Sequence, residues 1–349
     1  MKDAPHFGFA SDNAAGICPE ALAALSTVNP GHVASYGNDA ETLRAKKLFA
    51  AVFEKDCEVF FVFNGTAANA LVFAALGQRH QGILCHALSH VDTDECGAPE
   101  FFTGGSKVIP LDAPFAKLRP ADLEPALHRG HGVHFPKIRT ISVTQSTELG
   151  TLYSPDELRA LGNFADQHDL AVQMDGARFA NAVAASAGRG YAPADLTWRA
   201  GVDVLCFGGT KNGLLATEAV VFFEPALARE FEYRVKQSGQ LASKLRFAAA
   251  QWAAVLHDGA WLRHAAHANR QAGRLALGLT DLGIKLLAPA EVNAVFVELA
   301  PALVIALETR GWRFYKFVGE HGYRLMCSWA TTDAAVAALL ADVRTALGK

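Results

Sequence analysis

A lysine, Lys211, stands in the run CFGGTKNGLLATEAVVFF (Cys206 to Phe223) with apolar or small residues on nearly every side. A free lysine amine is protonated at neutral pH and is no nucleophile. Burial among apolar groups lowers its pKa and opens Schiff-base chemistry to it. Taken alone, Lys211 reads more simply as a side chain snorkelling from a strand end to water.

Two other stretches shift that balance. In LAVQMDGARFANA, Asp175 ends an apolar strand and precedes a glycine. In an α/β sheet ligands bind at the carboxyl ends of strands. Asp175 either caps the next helix or holds a proton on a pyridine nitrogen, the partner pyridoxal phosphate needs if its ring is to take up electrons. Arg178 either forks onto a carboxylate or pairs on the helix surface. In FFVFNGTAANAL, a strand, then Asn64-Gly65-Thr66, then a helix make a phosphate cradle. Glycine permits close approach, the Thr66 hydroxyl donates, and the free N–H groups of a helix start favour an anion. The stretch is neither GxGxxG nor GxxxxGK[ST], which argues against a dinucleotide or nucleoside triphosphate. A phosphate seat, a ring-nitrogen carboxylate and an amine, in that chain order, ask for pyridoxal phosphate.

Strand-like runs alternating with amphipathic helices position these groups. EVFFVF, GILCH, SKVIPL, IRTISVTQ, LAVQMD, DVLCFGG and EAVVFF read as strands. TAANALVFAALG reads as a helix, as does SPDELRALGNFADQHD, with Ser154 as N-cap and Glu157 completing a capping box. Such alternation predicts an α/β fold with a mostly parallel sheet covered by helices. A long helix over residues 260–282 leads to a different pattern, in which VNAVFVELA and YRLMCSWA are strands and a helix behind Asp333 closes the chain. The expected division is a segment 1–30 reaching the active site, a large cofactor-binding domain 31–258 and a small α+β domain 259–349.

Composition narrows the function classes. The chain has 349 residues, 51% of them hydrophobic, and a net charge of -3. It can bury a large core, and it offers no basic surface for nucleic acid. No apolar run is of membrane-spanning length, and MKDAPHFGFASDNAAG lacks a signal peptide's apolar region. Six scattered cysteines without a CxxC pair fit a reducing cytoplasm.

The segments FASDNAAG, ASYGND, NGTAANAL, CHALSHVDTDECGAPEFF, MDGARFANA, GGTKNG and SKLRF together resemble the low-specificity L-threonine aldolases, pyridoxal-phosphate enzymes of the aspartate-aminotransferase-like fold. The resemblance extends to YRLMCSWATT, nearly the whole chain. It implies that Lys211 attaches the cofactor, Asp175 pairs with the ring nitrogen, Gly65 and Thr66 hold the phosphate, and His90 stacks on the ring. It also implies that Ser11, Arg178 and Arg324 bind the substrate carboxylate. Tyr36 and Arg246 would complete the site across the interface of a homodimer or homotetramer. One departure stands out: where relatives carry histidine in an ENTHN-like segment, this chain reads TQSTELG, with Glu148 at the nearest position.

The implied reaction is retro-aldol cleavage of L-threonine, L-allo-threonine and related β-hydroxy-α-amino acids, phenylserine among them, to glycine and an aldehyde. The proton acceptor is His90, Glu148 through a water, or a cofactor phosphate oxygen. A β-eliminating lyase or an aminotransferase would share the cofactor residues. A non-catalytic scaffold would have no need of the intact Lys211, Asp175 and Gly65-Thr66 set. The cluster CHALSHVDTDEC matches no closed zinc pattern, and no metal is expected. His128, His131 and His134 read as loop histidines, and His264 and His267 as surface or packing residues.

Overall fold

A computed structural model describes residues 6–349. Seven strands form the larger sheet: β1 (Glu58–Val62), β2 (Gln81–His86), β3 (Lys107–Leu111), β4 (Lys137–Thr144), β5 (Ala171–Gly176), β6 (Val204–Gly208) and β7 (Glu218–Phe222). Their order is β1-β7-β6-β5-β4-β2-β3. β3, β2, β4, β5 and β6 run parallel to one another, and β7 is antiparallel to both β6 and β1. Every residue of β5, β6 and β7 is buried. Helices cover both faces, so these strands read as continuous apolar runs rather than alternating ones.

The helix Pro155–Gln167 begins as its sequence dictates. Ser154 Oγ accepts from the Glu157 N–H at 3.2 Å, and Glu157 Oε2 accepts from the Ser154 N–H at 2.8 Å. An aromatic core of Phe49, Phe53, Phe207 and Trp252 packs behind β6, with Phe207 and Trp252 centroids 5.0 Å apart. The long helix Ala260–Asp281 joins two cores. Trp261 and Ala265 belong to the first, while Ala272, Leu275 and Leu279 face the second.

The second core lies against a three-stranded antiparallel sheet, ordered β8-β10-β9: β8 (Ala294–Glu298), β9 (Tyr315–Val318) and β10 (Gly322–Met326). Phe9, from the start of the chain, is buried in it. Two details differ from the sequence reading. β9 was not foreseen: it is only four residues long, and all four are half-buried or exposed. The closing helix starts at Asp333 itself, Asp333–Ala346, and is capped by Thr332, whose hydroxyl accepts from the Ala335 N–H. Among the described residues no helix is long and apolar enough to cross a membrane.

Candidate active site

The carboxyl ends of β4, β5 and β6 lie side by side, with Thr144 paired to Asp175 and Asp175 to Cys206. They floor a cavity of about 730 Å³. Ser11, Gly65, Thr66, His90, Glu148, Asp175, Arg178, Lys211 and Arg324 all line it. Nine of the eleven residues singled out from sequence therefore meet in one place. Tyr36 and Arg246 do not line it. Tyr36 is exposed, with the Lys236 amine 5.0 Å from its ring centroid, and Arg246 donates to Asn29 O at 3.2 Å.

Lys211 sits on a tight turn just past β6. A Cβ on Gly209 would meet the Thr217 carbonyl and the Trp252 ring, and one on Gly208 would meet the Ala177 carbonyl, so glycine is required at both. Glu218, opposite Gly208 on β7, accepts the Gly209 N–H at 2.5 Å and anchors the turn. Burial pushes the Glu218 carboxyl up to about 7. The Lys211 side chain lines the cavity. Burial, and then the charge of Arg178, pull its pKa down against the opposing pull of Asp12, Asp175 and Glu218. An amine so placed gives up its proton more readily than a surface lysine.

The phosphate seat is set by a capped helix start. Asn64 Oδ1 accepts from the Ala67 N–H at 2.9 Å, and Asn64 O from the Ala68 N–H at 3.2 Å. The N–H groups of Gly65 and Thr66 have no partner among the described residues, which is the donor pattern an anion at a helix N-terminus uses. A Cβ on Gly65 would project into open space. This donor-lined cradle, a lysine of lowered pKa and a buried strand-end carboxylate fit pyridoxal phosphate: Gly65 and Thr66 would hold its phosphate, Lys211 its carbonyl carbon and Asp175 its ring nitrogen.

Asp175 is itself braced. Its Oδ1 accepts from the Ala177 N–H and its Oδ2 from Asn69 Nδ2, each at 2.9 Å. That leaves the carboxylate oriented by neutral donors, with no cation paired to it in a salt bridge among the described residues.

Two guanidinium groups serve the cavity, and they differ. Arg178 is held in a fork by Asp12, at 2.7 Å from Nε and 2.9 Å from Nη2. Burial pushes the Asp12 carboxyl up, but Arg178, Lys211 and Asn293 outweigh it and hold it below the usual range. Asn293, beside β8, donates to Asp12 Oδ2 at 3.1 Å. Asp12 thus ties the start of the chain, the larger sheet and the smaller one to a single point. Of the Arg178 fork, Nη1 is left for a ligand. Arg324, on β10, has no such counter-ion among the described residues. Its Nε is buried and unpartnered, and its guanidinium carbon lies 5.1 Å from the Phe317 ring centroid. Burial, then Arg178, lower its pKa to about 10. A cation this poorly compensated favours an incoming carboxylate. Arg324→Lys keeps the charge and loses the planar fork. The KM for threonine is expected to rise about tenfold or more, on the scale of one charge-assisted hydrogen bond, with cofactor absorbance unchanged. Steady-state kinetics beside a cofactor titration check this.

Glu148 follows β4. Its Oε1 accepts from Thr144 Oγ1 at 2.5 Å, and its Oε2 is buried without a partner. Burial pushes the carboxyl up to about 7, with Asp175 adding to the shift. His90 follows β2, and its Nδ1 lies 2.9 Å from Glu95 Oε1. That hydrogen bond raises its pKa against the effect of burial, and Asp175 adds to the rise.

Sequence reasoning passed over Asp12, Asn69, Glu95 and Glu218. All four stand in quoted segments, but no local pattern marks their partners. Among the described residues, the His/Cys/Asp/Glu group with closely gathered ligand atoms is Cys18, Glu20 and His264, none of which lines the cavity. There His264 already pairs with Glu20 at 2.9 Å.

Comparison with known proteins agrees with this geometry. Residues 8–302 match the family model described as beta-eliminating lyase. A low specificity L-threonine aldolase of Pseudomonas aeruginosa is 52% identical over 97% of this chain and 98% of its own. The structure of a threonine aldolase of Leishmania major superposes with a TM-score of 0.91 at 27% identity, over 97% of this chain and 99% of its own. A serine palmitoyltransferase solved with pyridoxal phosphate shares the fold, with a TM-score of 0.71 at 16% identity over 97% of this chain and 87% of its own. The chain belongs to the beta-eliminating lyase family, among the low specificity L-threonine aldolases.

Proposed function

We propose that this chain uses pyridoxal phosphate to cleave L-threonine, L-allo-threonine and related β-hydroxy-α-amino acids, phenylserine among them, to glycine and an aldehyde. The observation that carries the reading is the meeting of Lys211, Asp175 and the Gly65-Thr66 cradle with an uncompensated Arg324 in one cavity. When bound, pyridoxal phosphate supplies the electron sink for the bond that breaks. Arg324, the free Nη1 of Arg178 and Ser11 hold the substrate carboxylate. Fixing that group fixes rotation about Cα, and the rotation decides which Cα bond breaks. A base takes the β-hydroxyl proton, the Cα–Cβ bond breaks with its electrons going to the Cα side, and the β-carbon leaves as the aldehyde carbonyl. A proton delivered to Cα completes glycine.

Glu148 is the proton acceptor in this reading, because it lines the cavity, its Oε2 has no partner and burial pushes its pKa up to about 7. An acceptor must be ionised. Cleavage is therefore expected to rise as pH climbs through about 7 and to level off above it. Glu148→Gln is expected to cut kcat by about two to four powers of ten and to remove that limb. Exchange of the glycine α-proton, which involves no hydroxyl, should survive. Rate profiles and exchange followed by NMR check both.

The same reading divides the chain into a segment 1–30 that reaches the site, a cofactor-binding domain 31–258 and a small domain 259–349. It places the protein in the cytoplasm, in keeping with six unpaired cysteines. It also pairs two copies, so that the exposed Tyr36 and the neighbouring Arg246 complete the partner's site in a homodimer or a homotetramer of two such dimers. Sedimentation showing a monomer at working concentration would contradict that pairing. The test of the function is an assay of the purified, cofactor-supplemented protein on threonine, allo-threonine and phenylserine. Equal yields of glycine and aldehyde are expected. Release of ammonia and a 2-oxo acid would favour β-elimination, and transfer of the amino group an aminotransferase.

A further inference from the structure

The cavity floor holds a buried polar chain that links its two charged walls. Glu95 is 3% exposed and Asn69 is 1% exposed. Asn69 Nδ2 donates to Asp175 Oδ2 and to Glu95 Oε1, both at 2.9 Å. Its Oδ1 accepts from Gln173 Nε2 at 2.9 Å, and Gln173 Oε1 accepts from Ser142 Oγ at 2.6 Å. The two carboxylates fix this amide's orientation, since reversing it would turn its oxygen onto both. Glu95 Oε1, already accepting from Asn69, also meets His90 Nδ1 at 2.9 Å.

The tautomer follows from donor counting. Ionised Glu95 offers acceptors only, and its Oε1 already accepts from Asn69. With Glu95 ionised, His90 Nδ1 must therefore carry the hydrogen of the bond they share. The backbone delivers Glu95 inward: Cys96 and Gly97 both adopt left-handed conformations, at φ 53° and 73°, and turn the chain sharply beyond it. Burial raises the Glu95 carboxyl's pKa, and its bonds to His90 and Asn69 work against that rise.

We propose that Glu95 and Asn69 are positioning residues of the active site, which lock the His90 imidazole with Nδ1–H toward Glu95 and leave Nε2 as the proton-accepting nitrogen, and which tie that ring to Asp175. The role rests on the reading of this cavity as the aldolase site, since it matters to catalysis only if His90 faces the reacting atoms. The charged groups acting on His90 are Glu95 from the loop after its own short helix, Asp175 from β5, Lys211 beyond β6 and Glu148 beyond β4. Glu95 alone bonds to it directly.

The test is 15N NMR of the His90 ring in the cofactor-free protein, which reads the relay whether or not the protein cleaves threonine. Wild type should show the neutral ring protonated at Nδ1. Glu95→Gln keeps an acceptor oxygen and removes the charge. It should keep that tautomer and lower the His90 midpoint by about one pH unit, a tenfold loss of proton affinity. Glu95→Leu removes the acceptor and should let the Nε2–H form predominate. A wild-type ring protonated at Nε2 would overturn the proposal without recourse to any variant. An unchanged His90 midpoint in folded Glu95→Gln would overturn it as well.

Discussion

Lys211→Ala is expected to lower threonine cleavage by at least about three powers of ten, the scale lost when a covalent or proton-transferring group is deleted. The protein should still fold. Lys211 makes no ion pair among the described residues, and burial already weighs against its charge, so its removal leaves no buried partner exposed to loss. The turn that carries it is held by Gly209 and Glu218 rather than by the amine. The loss should appear in kcat, accompanied by disappearance of the absorbance due to covalently held cofactor. Circular dichroism and a cofactor difference spectrum, measured beside the rate, separate a chemical loss from a folding one. Turnover within tenfold of wild type would contradict the role.

Asp175→Asn is expected to cost about two to three powers of ten in kcat, the range for removing one preorganised electrostatic group. Here the local hydrogen bonding adds a second effect. Both carboxylate oxygens accept, one from Ala177 N–H and one from Asn69 Nδ2. An asparagine can satisfy only one of these, and its NH2 would face either the Ala177 N–H or the Asn69 amide donor to donor. Asn69 cannot turn to help, because Gln173 holds its oxygen. A stability loss of about 1–3 kcal/mol is therefore expected with the catalytic loss. Denaturant titration measures the first and steady-state kinetics the second. Asp175→Glu keeps the charge and should recover more turnover than stability. Near-normal kcat with full cofactor occupancy in Asp175→Asn would exclude the assigned role.

Much of this site could be read in the sequence for a specific physical reason. β5, β6 and β7 are covered on both faces, so their residues must be apolar from end to end, and the polar residues at their ends stand out. Asp175 and Lys211 are such residues. Gly65 and Thr66 were visible because a strand running directly into a helix leaves a recognisable junction. What stayed hidden depends on distance along the chain. Asn69 meets Asp175 across 106 residues, Asp12 meets Arg178 across 166, and Asn293 reaches Asp12 across 281. No periodicity or turn signal records such a pairing. Arg178 illustrates the consequence: its type and place suggested a carboxylate clamp, yet half of its fork is taken by Asp12. Glu95 lay within a segment rich in possible metal ligands, and its actual partners are a histidine and an amide. β9 escaped because it is a four-residue edge strand, too short to show a period.

The central claim is that this cavity holds pyridoxal phosphate on Lys211. Borohydride reduction of the cofactor-loaded protein, followed by digestion and mass spectrometry, tests it most directly, because reduction fixes the cofactor to whichever amine carries it. The account predicts one pyridoxyl-phosphate adduct per chain, on the peptide containing Lys211. An adduct on any other lysine, or none after full loading, would contradict it.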